Sequence, residues 1–171
     1  LDNSVTLLSG TLKRNVAKAS ITINITDNAI NNDHLSIKSV QIQSVPSISY
    51  YVTQDVAAPF PLSSAFSKVS YPEISWPEGN NLSFTTYLPV NMRGVSSASE
   101  ESDKNAQAPD GSTYLLVSAT YKEKAGENEP EYPITYSFYL GENMINDYNL
   151  VANKFYNYTF TINSKGDADS D

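Results

Sequence analysis

Between residues 17 and 26 the chain reads Ala17-Lys18-Ala19-Ser20-Ile21-Thr22-Ile23-Asn24-Ile25-Thr26, with every odd position apolar and every even one polar. A period of two is the repeat of a pleated strand with one dry face and one wet face. A helix would spread those isoleucines around its circumference, so the segment is predicted as a strand of a two-layer β structure. The same period recurs down the chain. Leu82, Phe84, Thr86 and Leu88 share one face, as do Leu115, Val117, Ala119 and Tyr121. Ile134, Tyr136, Phe138 and Leu140 follow, then Tyr156, Tyr158, Phe160 and Ile162. Leu35 and Ile37 fit one phase while Val40 and Ile42 fit the other, which predicts a one-residue bulge near Ser39. Shorter candidates are Val5 to Leu8, Ile48 to Val52 and Val69 to Trp76.

Polar stretches rich in Asn, Asp, Ser, Pro and Gly separate these segments, and no amphipathic run of three helical turns interrupts them. The expected architecture is all-β, an antiparallel sandwich of about seven to eight strands filling residues 1–163 as one domain. Residues 27–34 and 122–133 read as polar hairpin connections, and residues 95–112 as a mobile surface loop with almost nothing to bury. Residues 164–171 read as a polar tail or linker. A start at Leu1 suggests a trimmed or processed chain.

Composition narrows the chemistry. Eleven Lys and Arg against 19 Asp and Glu give a formal charge of -8, which repels a phosphate backbone, so no nucleic-acid partner is expected. No apolar stretch approaches the roughly 18 residues of a membrane-spanning helix. Without cysteine there are no disulfides or thiolate ligands, and the single histidine, His34, sits beside Asp33 in what reads as a turn. No phosphate-cradling glycine motif and no nucleophile elbow occurs. Glu100, Glu101 and Asp103 lie in the soft loop, and Glu127, Glu129 and Glu131 in a hairpin connection, where neither set has the rigid support a carboxylate pair needs. Asp167, Asp169 and Asp171 have the alternate spacing that opens a calcium loop but lack its glycine and distal Glu. The expectation is therefore no enzyme, no cofactor and no metal. Trp76, Tyr50, Tyr51, Tyr139 and Tyr148 are candidates for stacking on sugar rings if exposed, Trp76 and Tyr148 foremost, as in a cell-surface carbohydrate-binding module.

Two segments carry more information. One is Tyr87-Leu88-Pro89-Val90-Asn91-Met92-Arg93-Gly94. The other runs Tyr136-Ser137-Phe138-Tyr139-Leu140-Gly141-Glu142-Asn143, then Asp147-Tyr148-Asn149-Leu150-Val151-Ala152-Asn153, then Tyr156 to Ile162. Their residues read as scaffolding. Pro89 ends a strand, Asn91 is placed to bond its own backbone, Gly94 permits a positive φ, and Gly141 with Asn143 does the same after the next strand. Asp147, Asn149 and Asn153 belong to the ordered connection that follows.

In order and spacing these segments resemble the C-terminal part of the fimbrillin family of Bacteroidetes surface pili. The likeness covers residues 82–163, with Val90 where Glu is usual and Ala152 where Arg is customary. The resemblance implies a transthyretin-like sandwich, export as a lipoprotein to the outer membrane and cell surface, and a non-enzymatic structural or adhesive role. It implies other pilus subunits as partners through strand exchange, with a host or bacterial surface glycan or protein as a further partner. In strand complementation an extended segment of one subunit completes the sheet of the next.

Overall fold

The computed structural model describes residues 14–49, 58–62, 64 and 67–166. Among them are nine strands: β1 (Val16–Ile25), β2 (Ser36–Gln43), β3 (Val45–Pro46), β4 (Lys68–Val69), β5 (Ile74–Ser75), β6 (Asn81–Pro89), β7 (Tyr114–Tyr121), β8 (Tyr132–Tyr139) and β9 (Phe155–Ile162). The chain is an all-β sandwich, with a three-stranded sheet in the order β6-β1-β9, a four-stranded sheet in the order β5-β2-β7-β8, and the small ribbon β3-β4. The candidate strands at 5–8 and, from residue 50 onward, at 48–52 fall outside the described residues, as do Tyr50, Tyr51, Asp167, Asp169 and Asp171.

Alternation produces the core directly. Ala17, Ala19, Ile21, Ile23 and Ile25 are buried along β1, and Tyr156, Tyr158, Phe160 and Ile162 along β9. They meet Val40, Ile42, Leu115 and Val117 from the opposite sheet. Phe138 of β8 stacks on Phe160 of β9 with centroids 4.5 Å apart, joining the layers along one side. The phase change in β2 is a bulge, with the β2–β7 register shifting between Ile37 and Ser39. Lys38 is the extra residue, and the shift lets both halves of β2 keep their apolar side chains inward.

Two connections differ from expectation. Residues 27–34 do not form a hairpin, because β1 and β2 lie in different sheets. They hold a five-residue helix, α1 (Asp27–Asn31), whose Thr26 cap accepts a hydrogen bond from the Ala29 amide. The crossover buries Ala29 and turns at His34, with φ 49°. Residues 95–112 lie against the sandwich instead of projecting as an unanchored loop. Ala98 and Lys104 are buried, residues Glu101–Asp103 make one 3-10 turn, and Asn105 Nδ2 donates to the Ser137 carbonyl of β8 at 2.9 Å. The loop has few apolar side chains, and Ala98 with the Lys104 stem supplies the packing. Residues 122–131 do link a hairpin, β7 to β8. The segment expected at 69–76 divides into the two short edge pieces β4 and β5.

One pairing was not foreseen. β9 runs parallel to β1, from Lys18 opposite Phe155 to Ile25 opposite Ile162. Alternation reports which face a residue takes and is silent on strand direction. On the outer face of this sheet the register forms cross-strand ranks: Tyr87, Lys18 and Phe155; then Thr85, Ser20 and Asn157; then Ser83, Thr22 and Thr159. Among the described residues no helix is long and apolar enough to cross a membrane.

Candidate functional site

The two motif segments meet in space. The chain leaving β6 at Pro89 runs antiparallel to the chain approaching β9. Asn91 and Leu150 exchange both backbone hydrogen bonds, at 3.0 and 2.9 Å, and the Tyr148 amide donates to Gly94 O at 3.0 Å. Pro89 is the last residue of β6, opposite Val16, as expected. Gly94 has φ +91°, a conformation that suits glycine, and its amide donates to Asn149 Oδ1 at 2.8 Å.

Asn91 is fully buried and bonds across the fold, where self-bonding within its turn was expected. Its Nδ2 donates to Gly111 O and Thr113 Oγ1, both at 2.8 Å, and its Oδ1 accepts from Arg93 Nε. Arg93 reaches on to Pro61 O at 2.7 Å. A buried amide with its donors and acceptor satisfied fixes three segments at once. Asn143 does shape its own turn, because Oδ1 accepts from the amides of Ile145, Asn146 and Asp147 at 2.8, 2.9 and 3.2 Å. Asp147 continues the chain of bonds: Oδ1 accepts from the Glu142 and Asn149 amides, and Oδ2 from Asn149 Nδ2. Asn153 has φ 63° and donates its amide to Val16 O, setting β9 beside β1.

Gly141 is needed for a different reason from the one the sequence suggested. Its φ is not positive; instead a Cβ there would lie 2.0 Å from Asp147 O. Tyr148, one of two foremost sugar-stacking candidates, is 1% exposed, which excludes it from that role. Its hydroxyl donates to Lys104 O at 2.6 Å, and Lys104 Nζ lies 5.3 Å from its ring centroid while donating to Asn143 O. Trp76 is half-buried against the core and donates Nε1 to Gly79 O at 3.0 Å. Lys104, Arg93 and Glu142 were not singled out in the sequence, since only the fold brings distant segments to them.

Among the described residues, no strand pairs the outer edge of β9. Lys18 N donates to Lys154 O, and Thr26 N to Ile162 O, so the backbone groups of the even residues face β1. Those of Phe155, Asn157, Thr159 and Thr161 therefore face away from the sheet. β8 is the corresponding edge of the other sheet, but Asn105 and the Glu101–Asp103 turn cover part of it. Between the two edges lies a hollow of about 400 Å³ lined by Tyr136, Phe138, Met144 and Phe160. A second of similar volume continues past Met144 and Thr159 toward Phe155. Together they make an open trench along β9. Among the described residues no three His, Cys, Asp or Glu side chains are placed to hold a metal.

Burial also sets the tyrosine chemistry beneath the trench. Desolvation, with a smaller push from Asp33, raises the Tyr136 hydroxyl to about 12. Desolvation raises Tyr156 and Tyr158 too, helped by Glu142 and opposed by the Val151 and Gly141 amides, respectively. Desolvation lowers Lys104 to about 8, against attraction from Asp147 and Glu101.

Asn91→Ala deprives Gly111 O, Thr113 Oγ1 and Arg93 Nε of a partner, and is expected to lower unfolding free energy by about 3 kcal/mol in denaturant titration. Asn157→Ala, on an exposed face, should change it by less than about 0.5 kcal/mol. Alkaline stability follows from the tyrosines. The unfolded chain releases these protons near 10.0, the ordinary value for tyrosine, whereas the folded chain holds them. Their stabilisation is complete below 10 and is lost as pH rises toward about 12. Lys104 acts oppositely, adding stability from about 8 to 10.5. Denaturation midpoints should thus fall above roughly pH 10.5, less steeply in Tyr158→Phe; midpoints flat to pH 12 would contradict this.

Residues 86–160 match the model of a family described as "Domain of unknown function (DUF4906)". The matched stretch contains the Asn91 network, both turns around Gly141 and Asp147, and most of β9. No curated protein matches the chain.

Proposed function

We propose that this chain is a non-enzymatic structural or adhesive subunit domain of a bacterial surface pilus, exported to the cell surface and outer membrane, and that it accepts a strand from another subunit along β9. The observation that carries this reading is the trench beside an eight-residue edge that no strand of the described residues pairs. An unpaired edge of that length invites another chain, and proteins that work as monomers cover or charge such edges. Here Asn157, Thr159 and Thr161 are uncharged and extended, and the trench offers Phe138, Phe160 and Met144 to alternate side chains of an incoming segment. Main-chain bonds would supply affinity and the apolar floor would supply selection. The fimbrillin resemblance of residues 82–163 supports the same reading, since it covers the strands that make the trench.

Thr159→Pro tests it. The Thr159 amide faces away from β1, so proline there removes a donor from the free edge without breaking the β1 ladder. In cells that display the pilus, the variant should fold with a melting temperature within a few degrees of the parent. It should be missing from the high-molecular-weight ladder seen in unheated extracts. A variant that enters the ladder as well as the parent, or a parent that never enters one, refutes the proposal.

A further inference from the structure

The outer face of the β6-β1-β9 sheet has a composition at odds with the rest of the chain. The protein carries 19 Asp and Glu, yet none of the outward residues of β1, β6 and β9 is acidic, and Lys18 is the one charge among them. The face is otherwise mostly hydroxyl and amide groups, with Thr22 Oγ1 and Ser83 Oγ 2.9 Å apart. At one end the rank of Tyr87, Lys18 and Phe155 ends in two exposed rings, 55% and 57% accessible. Two exposed aromatics are unusual on a wet sheet face, where water gains nothing by meeting them.

Their spacing is set by the sheet. Tyr87 and Phe155 lie two strands apart in register, so their backbones are about 9.5 Å apart. That span suits two rings of a glycan chain laid across the strands, each stacking its apolar face on one aromatic. Lys18, between them in register, holds its Nζ over the Phe155 ring, 5.2 Å from the centroid, as a donor for ring hydroxyls. The next rank, Thr85, Ser20 and Asn157, offers further donors and acceptors without a formal charge. An anionic polymer would meet only one cation here, within a protein of net charge -8. A cationic partner would find no carboxylate. Charge matching therefore selects an uncharged ligand, and hydroxyl-rich chemistry selects a sugar.

The geometry points to a binding face for neutral oligosaccharides on β6-β1-β9, anchored by Tyr87 and Phe155. It is separate from Trp76 and Tyr148 and does not require the strand-accepting trench. The test uses the full chain against a panel of neutral β-linked gluco-, manno- and galacto-oligosaccharides of four to six residues, by calorimetry or array. At least one should bind, and Tyr87→Ala with Phe155→Ala should weaken it roughly tenfold or more while the melting temperature holds. Met144→Glu, on the trench floor and away from that face, should lose assembly yet keep sugar binding, so the two readings fail independently. No binding by the parent, or binding that survives the double substitution, overturns the inference. So does a double variant whose measured defect is in self-association alone, because that result makes the face a contact between copies.

Discussion

The antiparallel join between residues 91–96 and 146–150 governs the rest of the molecule. Asn91 and Leu150 lock the two segments through their backbones, and the Asn91 side chain ties that join to Gly111 and Thr113 at the start of β7. Asp147 and Asn149 stiffen the return path, and Asn153 turns it into β9. These are polar groups out of water, stabilising only because each has its partner. Their joint effect is to deliver β9 in parallel beside β1, with the strand's other edge facing out.

That placement divides the surface into regions of different character. One sheet edge is blunted by the two-residue strand β5, and β8 is partly covered by Asn105 and the turn before it. Among the described residues, no strand pairs the outer edge of β9, which lies above a floor in which Phe138 and Phe160 stack. The sheet face beside it is neutral and hydroxyl-rich. Acidic residues are absent from that face: several lie in exposed connections, such as Glu123 and Glu127, while Glu101 and Glu142 line the trench.

Sandwich class, strand faces and the Ser39 bulge were legible because a two-residue period encodes burial directly. Gly94 and Pro89 were legible because their backbone limits are intrinsic. What sequence could not convey was partnership across distance. Asn91 read as a turn residue because its real partners lie some twenty residues on, and Gly141 read as a φ requirement because the Asp147 carbonyl that crowds it is set by the next turn. Residues 95–112 read as unanchored because polar composition conceals that Lys104 buries its stem against Tyr148. Tyr148 read as a surface aromatic for the converse reason. Strand direction in β9, from which the open edge follows, leaves no trace in alternation.

Amide hydrogen exchange along β9 in the isolated chain measures the central claim most directly. The account predicts alternation: slow exchange at Tyr156, Tyr158 and Phe160, whose amides face β1, and fast exchange at Asn157, Thr159 and Thr161, whose amides face out. Uniform protection along the strand would mean that its outer edge is already paired, and would contradict the account.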